Sequence, residues 1–210
     1  MDTAVTSLFS AAEFRRRAQH QRDAGDDDIY EDIRQNADIF QSLPKDQLRG
    51  AAVLVPVVDH GSEATVLLTK RTDGLRAHAG QVAFPGGRID PEDVSVEDAA
   101  MREAVEEIGL ERRFVEPVGR LPEYFAPSGF LITPVLSVVT PGFRLRINPD
   151  EVDAAFEVPL RFLMDPANHV RDTRIWQNKE RFFYRMPYQD WMIWGITAGI
   201  IHGMYERLYA

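Results

Sequence analysis

Residues 86–110 read GGRIDPEDVSVEDAAMREAVEEIGL, a pair of glycines followed by an acidic loop and a segment with helical spacing. Ser95 followed by Asp98 resembles an N-terminal capping pair, which predicts the start of a helix. Gly109 can end that helix, because glycine readily adopts the left-handed conformation that follows a helical C-terminus. The stretch therefore predicts a glycine turn that leads into a short helix.

One face of the predicted helix carries three glutamates. Glu103, Glu106 and Glu107 stand at i, i+3 and i+4, so their carboxylates lie together and repel one another by about 0.2–0.5 kcal/mol for each exposed pair. A solvated acidic surface is the alternative reading, but no lysine offsets the triad at i±4, and Ala100 and Ala104 give the other face a close-packing surface. Hard divalent cations such as Mg²⁺ prefer oxygen ligands, so the pattern favours a metal site.

The acidic charge of the chain is concentrated in this stretch. The formal net charge is −9, and residues 87–110 hold eight acids and two arginines, a net −6. This balance argues against a partner such as nucleic acid that needs a broad basic surface. The acidic charge does not exclude an anionic small molecule as the ligand, because a bound metal ion would make the local electrostatic potential positive.

The composition fits a protein of the reducing cytoplasm without requiring that location, and we expect a cytoplasmic protein. It has no cysteine, which excludes disulfides, thiol nucleophiles and cysteine-based zinc sites. The longest apolar runs, 51–58 and 130–139, are strand-sized and too short to span a membrane. Residues 1–4 include an early acid and begin no long apolar run, so we expect neither a secretory signal nor a membrane partner.

The order of the predicted elements indicates a mixed α/β domain at 50–210, preceded by a helical extension at 1–49. Apolar periodicity predicts helices at 7–22, 29–41, 95–108 and 194–209, a helical turn at 160–164, strands at 51–58, 64–70, 81–84, 114–124, 130–139 and 153–158, and a hairpin over 168–185.

Gly87 through Leu110 resembles the signature of the Nudix hydrolases, which is a glycine, a short acidic loop and then Arg-Glu-x-x-Glu-Glu-x-Gly. Two departures stand out: the interval from Gly87 to Arg102 is one residue longer than usual, and Asp93 stands where the family has a glutamate. The resemblance implies an α/β/α sandwich with a mixed β-sheet. It also implies metal-dependent attack of water on a phosphorus atom.

The inserted residue, the run at 67–87 and the tail at 194–201 together resemble the coenzyme A diphosphatase subgroup. This resemblance implies a small-molecule nucleotide substrate, coenzyme A or a derivative, which is split into 4′-phosphopantetheine and adenosine 3′,5′-bisphosphate. Two alternatives stay open: a Nudix hydrolase for another nucleoside diphosphate derivative, such as ADP-ribose or a dinucleotide, and a Nudix-fold nucleotide-binding module without catalysis.

The resemblance also implies roles for the residues of the motif. The implied ligands of Mg²⁺ or Mn²⁺ are the carboxylates of Glu103, Glu106 and Glu107 and the carbonyl of Gly87. Arg102 is expected to orient a glutamate, with Asp93 as its partner from the loop. Glu151 is the candidate general base, with a solvent-facing acid as the alternative, and Glu157 is the weaker choice.

Coenzyme A carries several phosphates, so cations are expected to face it. Arg71 and Arg76 are the candidate phosphate contacts, with surface ion pairs as the alternative. Phe125 and Phe130 flank a Pro-Ser-Gly loop and are candidates to stack on adenine, with core packing as the alternative. The aromatic residues at 182–184, 191 and 194 indicate either core packing or a contact in a homodimer.

Overall fold

The computed structural model describes residues 7–21, 30–38, 48–75, 78–176 and 178–210. The predicted substrate contact Arg76 lies outside these residues, as does part of the predicted helix at 29–41.

A large mixed sheet forms the centre of the molecule. Its strands are β1 (Arg49–Asp59), β2 (Ala64–Arg71), β3 (Val82–Ala83), β4 (Gly86–Arg88), β5 (Val115–Arg120), β6 (Tyr124–Ala126), β7 (Phe130–Val139) and β8 (Val152–Pro159). The main path runs β3-β2-β1-β7-β5, while β4 pairs with β1, β6 with β7 and β8 with β2. Strands β1 and β7 are parallel, and their register pairs Arg49 with Phe130 and Val58 with Val139. The other strand pairs described in this sheet are antiparallel.

The two central strands are buried on both faces. Along β1, Ala51, Val55 and Val57 belong to one apolar cluster, whereas Ala52 and Leu54 belong to the other. Successive side chains of a strand point to opposite faces, so a strand covered on both sides reads as a continuous apolar run. This burial accounts for the predicted strands at 51–58 and 130–139.

Helices cover both faces of the sheet. The helices in the described residues are α1 (Ala11–Gln19), α2 (Glu31–Gln35), α3 (Val96–Ile108), α4 (Leu160–Leu163) and α5 (Ile196–Leu208). Helix α3 packs on one face through the cluster that includes Ala100 and Ile108, and α1 and α5 pack on the other. The predicted α/β/α sandwich with a mixed sheet is confirmed.

A second, three-stranded antiparallel sheet follows, with β9 (Val170–Trp176), β10 (Lys179–Tyr188) and β11 (Trp191–Trp194) in the order β11-β10-β9. The sequence predicts a two-stranded hairpin over 168–185, whereas the structure adds a third strand, β11, to it. Gln189 has a positive φ of 51°, which turns the chain back so that β11 pairs with β10. Helix α5 begins at Ile196 instead of the predicted Trp194, because Trp194 ends β11.

The predicted strand at 114–124 is two strands in the structure. Strand β5 ends at Arg120 and β6 begins at Tyr124, and both pair with β7. Pro122, which has no N–H to donate to a ladder, lies between them.

The described part of the N-terminal extension packs onto the main domain. Ala11 and Phe14 of α1 are fully buried in the cluster that also contains Ile201 and Met204 of α5. The boundary at residue 49 stays a prediction. Among the described residues, no helix is long and apolar enough to cross a membrane.

Candidate active site

Helix α3 begins and ends where the sequence predicts. The backbone N–H of Asp98 donates to Ser95 Oγ at 3.1 Å, and Gly109 adopts the left-handed conformation with φ of 68°. Ala100 and Ala104 are fully buried, so the helix backbone lies close to the sheet. This close packing directs the glutamates along the edge of the helix that borders β4.

The three glutamates differ in exposure. The Glu107 side chain is only 2% exposed, Glu103 is largely buried, and Glu106 is 53% exposed. Burial raises the pKa of Glu107 to about 8, and the negative charges of Glu103 and Glu151 act in the same direction. Burial also raises the pKa of Glu103, to which the nearby Glu106 and Glu151 contribute. The site is therefore a pocket of crowded carboxylates whose ionised forms are disfavoured by burial.

Arg102 joins the loop before α3 to the glutamates. Its Nε and Nη2 donate to the two carboxylate oxygens of Asp93, both at 3.0 Å. Its Nη1 donates to Glu103 Oε1 at 2.9 Å and to Glu106 Oε2 at 3.1 Å. A planar guanidinium holds several carboxylates in fixed directions in this way, and the Asp93 side chain is 3% exposed. Asp93 thus stands against Arg102 despite the lengthened loop.

The Gly86-Gly87 pair forms β4, beside β1. A Cβ on Gly87 would lie 2.5 Å from the Glu103 carboxylate, and one on Gly86 would lie 2.4 Å from the Ala52 carbonyl oxygen. The N–H of Gly86 donates to Glu107 Oε2 at 3.3 Å. Only glycine allows this approach of backbone and carboxylate.

Arg71 and Glu151 reach the same pocket from other elements. Arg71 Nη1, at the end of β2, lies 3.4 Å from Glu107 Oε1, and its buried Nε has no hydrogen-bond partner among the described residues. Glu151 accepts a bond from Asn148 Nδ2 at 3.2 Å. The N–H of Asn148 donates to the Glu107 carbonyl oxygen at 2.9 Å, which ties this loop to the end of α3.

Two other candidate residues lie apart from the triad. Glu157 accepts from His60 Nε2 at 2.6 Å and also contacts Thr65, so it belongs to a separate surface network. Phe125 on β6 and Phe130 on β7 are both partly buried against the apolar core, and Phe130 also lines the cleft described next.

A cleft extends from the glycine pair in two parts. The first part, about 300 Å³, is lined by Arg71, Gly86, Gly87 and Phe130, among others. The second part, about 290 Å³, is lined by residues that include Arg174 and Phe183. Five residues line both parts: His78, Gln81, Ser128, Trp194 and Ile196.

No motif in the sequence predicts a substrate role for the second part of the cleft. Its residues Arg174, Phe183 and Trp194 come from the three strands of the second sheet, and the Arg174 guanidinium lies 5.1 Å from the centre of the Trp194 ring. Their positions depend on strand pairing, for which the sequence offered only the alternation of residues 168–185. No spacing rule brings them together.

The donor set fits a hard divalent cation. Burial raises the pKa values of Glu103 and Glu107, and a cation would stabilise their ionised oxygen atoms. Gly87 contacts the Glu103 carboxylate, so its backbone lies beside the same oxygen atoms. Arg102 and Arg71 offset part of the charge and hold individual oxygens in place. The pocket can therefore combine a cation, an arginine and the nearby carboxylate of Glu151 beside a cleft.

Comparisons with known proteins identify the family. The model of the NUDIX domain matches residues 48–186. An uncharacterized Nudix hydrolase NudL from Photorhabdus laumondii is 42% identical over 165 residues, which cover 78% of this chain and 87% of that protein. Another NudL, from Cronobacter sakazakii, is 44% identical over 154 residues, 73% of this chain and 79% of that one.

Among solved structures, the Mycobacterium smegmatis Nudix hydrolase RenU is 25% identical, with a TM-score of 0.47 and coverage of 54% of this chain and 71% of that one. The family model alone spans well over half of the sequence. The chain therefore belongs to the Nudix family and is a hydrolase that acts on phosphorus-containing anhydrides.

Proposed function

We propose that the enzyme hydrolyses the diphosphate of coenzyme A or its derivatives, releasing 4′-phosphopantetheine and adenosine 3′,5′-bisphosphate. One observation carries the proposal: the segment at 67–87, which bears the subgroup resemblance, contributes Arg71, Gly86 and Gly87 to the wall of the cleft beside the acidic helix. A two-part cleft suits a long substrate with a nucleotide at one end and a pantetheine arm at the other.

The proposed metal ligands are the carboxylates of Glu103, Glu106 and Glu107 and the carbonyl of Gly87, with Mg²⁺ or Mn²⁺ as the ion. When bound, the ion offsets the charge of the diphosphate and lowers the pKa of water next to it. Arg102 keeps Glu103 and Glu106 in place through its contacts with both carboxylates. Its other edge is held by Asp93, so the loop fixes the position of the ligands.

Glu151 is the proposed general base, which takes a proton from the attacking water. The negative charge of Glu151 contributes to the raised pKa values of both Glu103 and Glu107, and its carboxylate accepts a hydrogen bond from Asn148. General bases act within hydrogen-bond reach of the proton that they remove, so a position beside the ligands supports this role. Glu157 is engaged with His60 and is the poorer candidate.

The substrate contacts follow from the walls of the cleft. Arg71 is the proposed diphosphate contact, because its guanidinium lies at the junction of β2, the glycine pair and Glu107. Arg76 is proposed as a second phosphate contact on the resemblance alone. An aromatic ring can stack on adenine, and Phe125 and Phe130 are the proposed candidates, of which Phe130 lines the cleft.

The experiment is a hydrolysis panel with coenzyme A, dephospho-coenzyme A, ADP-ribose and NADH, each with Mg²⁺ or Mn²⁺, and with products identified by mass. We expect the highest kcat/KM for coenzyme A and a lower value for the dephospho form, because the 3′-phosphate is expected to meet a cation. Equal values for both would contradict the proposal and favour another nucleoside diphosphate derivative. Binding of coenzyme A without turnover would overturn it as well.

A further inference from the structure

A second group of metal-ligating side chains lies outside the cleft. Glu31 of α2, His202 of α5 and Glu206 of α5 each offer one atom, and these atoms lie within 4.8 Å of one another. His202 and Glu206 stand at i and i+4, so one face of α5 presents both, and Glu31 faces them from the N-terminal segment. We call these three residues the histidine cluster.

The hydrogen bonds around His202 decide which of its nitrogens carries a proton. His169 Nε2 lies 2.7 Å from the Leu163 carbonyl oxygen, which can only accept, so this nitrogen must donate. In a neutral His169 the other nitrogen, Nδ1, is then an acceptor. It lies 2.9 Å from His202 Nδ1, which must therefore be the donor of that bond.

In a neutral His202, this chain of bonds leaves Nε2 with a lone pair and no proton. Nε2 is buried and makes no hydrogen bond with acceptable geometry in the described part of the chain. It lies 3.4 Å from Glu31 Oε2 and 3.6 Å from Glu206 Oε1. Three electron-rich atoms thus face one another, which is unfavourable unless a positive charge lies between them.

We propose that Glu31, His202 and Glu206 bind a divalent transition-metal ion of the zinc type. In a tetrahedral site with bonds of about 2.1 Å, neighbouring ligand atoms are separated by about 3.4 Å. The distances from His202 Nε2 to the two carboxylates, 3.4 and 3.6 Å, agree with that value. Three protein ligands leave the fourth position to water.

The surroundings orient the ligands as partners of metal-binding residues do. A metal-bound histidine usually donates its other ring N–H to an acceptor that fixes its tautomer and direction. Here His202 Nδ1 is the donor and His169 Nδ1 is that acceptor. The Tyr184 hydroxyl donates to Glu31 Oε2, and the Tyr184 ring stacks on the His202 ring with centroids 3.9 Å apart. Arg171 approaches the other oxygen, Oε1, at 3.6 Å.

The donor set separates this ion from the one proposed at α3. Imidazole is a good ligand for zinc and related metals, whereas Mg²⁺ prefers oxygen atoms. A metal held here joins α2 to the C-terminal helix and so fastens the N-terminal segment to the domain.

The test measures zinc binding to the full chain in a background that lacks the α3 ligands (Glu103→Gln, Glu106→Gln and Glu107→Gln). The protein is stripped with a chelator, and Zn²⁺ binding is followed by equilibrium dialysis with metal counting. We expect one equivalent, undiminished by millimolar Mg²⁺. We also expect intense visible absorption with Co²⁺, since tetrahedral Co²⁺ absorbs far more strongly than octahedral Co²⁺.

Added to that background, His202→Gln is expected to weaken zinc binding by more than about 100-fold, and His169→Gln by about 10-fold. His60→Gln is the control, because the His60 imidazole is exposed and paired with Glu157, and it should change nothing. Zinc at about 100 times its Kd should raise the unfolding temperature of the background by about 5–10 °C, but not that of His202→Gln.

Equal zinc affinity with and without His202 would overturn the proposal, as would the absence of a zinc equivalent in the background, since a proton would then bridge the histidine cluster. Glu206→Gln provides a second variant in case His202→Gln fails to fold, because the Glu206 side chain is 43% exposed. Circular dichroism checks the folding of each variant.

Discussion

The acidic pocket on α3 and the histidine cluster on α5 both gather carboxylates at a helix, yet their construction differs. The α3 pocket takes three carboxylates from one stretch of five residues and places an arginine among them. The histidine cluster takes ligands from α2 and α5 and places an imidazole between two carboxylates. The first offers hard oxygen donors beside a cleft, whereas the second offers a mixed donor set away from it.

The difference shows that the chemistry of a group of carboxylates depends on the side chains that contact them. Arg102 satisfies one oxygen of Glu103 and one of Glu106 and leaves the others available. In the histidine cluster, Tyr184 and Arg171 hold Glu31, and His169 directs the lone pair of His202 toward the acids. We therefore expect substitutions in the α3 pocket to change catalysis and those in the histidine cluster to change stability.

The largest expected effect separates the two regions directly. Glu107→Gln should lower kcat by about 10²–10³-fold, because it removes one carboxylate of the proposed metal site, where the charge of the diphosphate would be stabilised. The fold should remain intact, since a neutral amide avoids the burial penalty that raises the pKa of Glu107. Activity is measured with saturating substrate and Mg²⁺.

Glu206→Gln is the matched control for this substitution, as it removes one carboxylate from the histidine cluster. It should leave kcat within about twofold of the wild type. If Glu107→Gln kept most of the activity, Glu107 would not belong to the catalytic pocket. A large loss of kcat in Glu206→Gln would erase the functional contrast between the regions.

Gly87→Ala is expected to lower kcat by about 10–100-fold without unfolding the protein. The new Cβ would meet the Glu103 carboxylate at 2.5 Å, and that flexible end can move away at little cost in stability. A ligand displaced by about 1 Å can reduce the rate about 100-fold. The measurements are kcat and the thermal unfolding midpoint.

Gly74→Ala is the control for the glycine, since its Cβ would meet only Thr72 Oγ1 at 3.9 Å. It should leave kcat and stability unchanged. A Gly87→Ala enzyme with full activity would show that Glu103 tolerates displacement.

Asp93 allows a smaller and more specific test of how the α3 pocket is held. Asp93→Asn weakens the two-point contact with Arg102 and should lower kcat by about 10-fold, with little change in KM, because Arg102 acts through the glutamates. Asp93→Glu keeps the carboxylate and should retain activity within about threefold. If both variants lost activity equally, the size of the side chain would matter and not its charge.

The stretch from Gly87 to Leu110 could be predicted well because its information is local. The Ser95 cap, the Gly109 terminus and the common face of the glutamates all follow from spacings of a few residues. The one-residue insertion did not prevent Asp93 from meeting Arg102, a contact that the resemblance suggested.

The rest of the cleft depends on pairing between distant strands, which no local rule supplies. Arg71 meets Glu107 only because β2, β1 and β4 are neighbours in the sheet, and Trp194 enters the cleft only because β11 pairs with β10. The histidine cluster had one weak signal, the i,i+4 spacing of His202 and Glu206. Its third member, Glu31, joins through tertiary packing.

The smallest expected effect is the pH dependence of the Asp93–Arg102 pair, measured in chelated protein. The hydrogen bonds from Arg102 lower the pKa of Asp93 below its usual value of 3.8. A carboxyl with a lowered pKa in the folded state stabilises the protein above the unfolded pKa and loses that contribution as the pH falls through the folded value. The wild type should therefore unfold about 2–4 °C above Asp93→Asn at pH 6, because an ion pair whose arginine is partly exposed contributes at most about 1 kcal/mol. This gap should narrow as the pH is lowered from about 5 to about 3. A gap that stays constant over this range would mean that the charge of Asp93 does not hold Arg102. Packing would then organise the α3 pocket, contrary to the difference drawn here between that pocket and the histidine cluster.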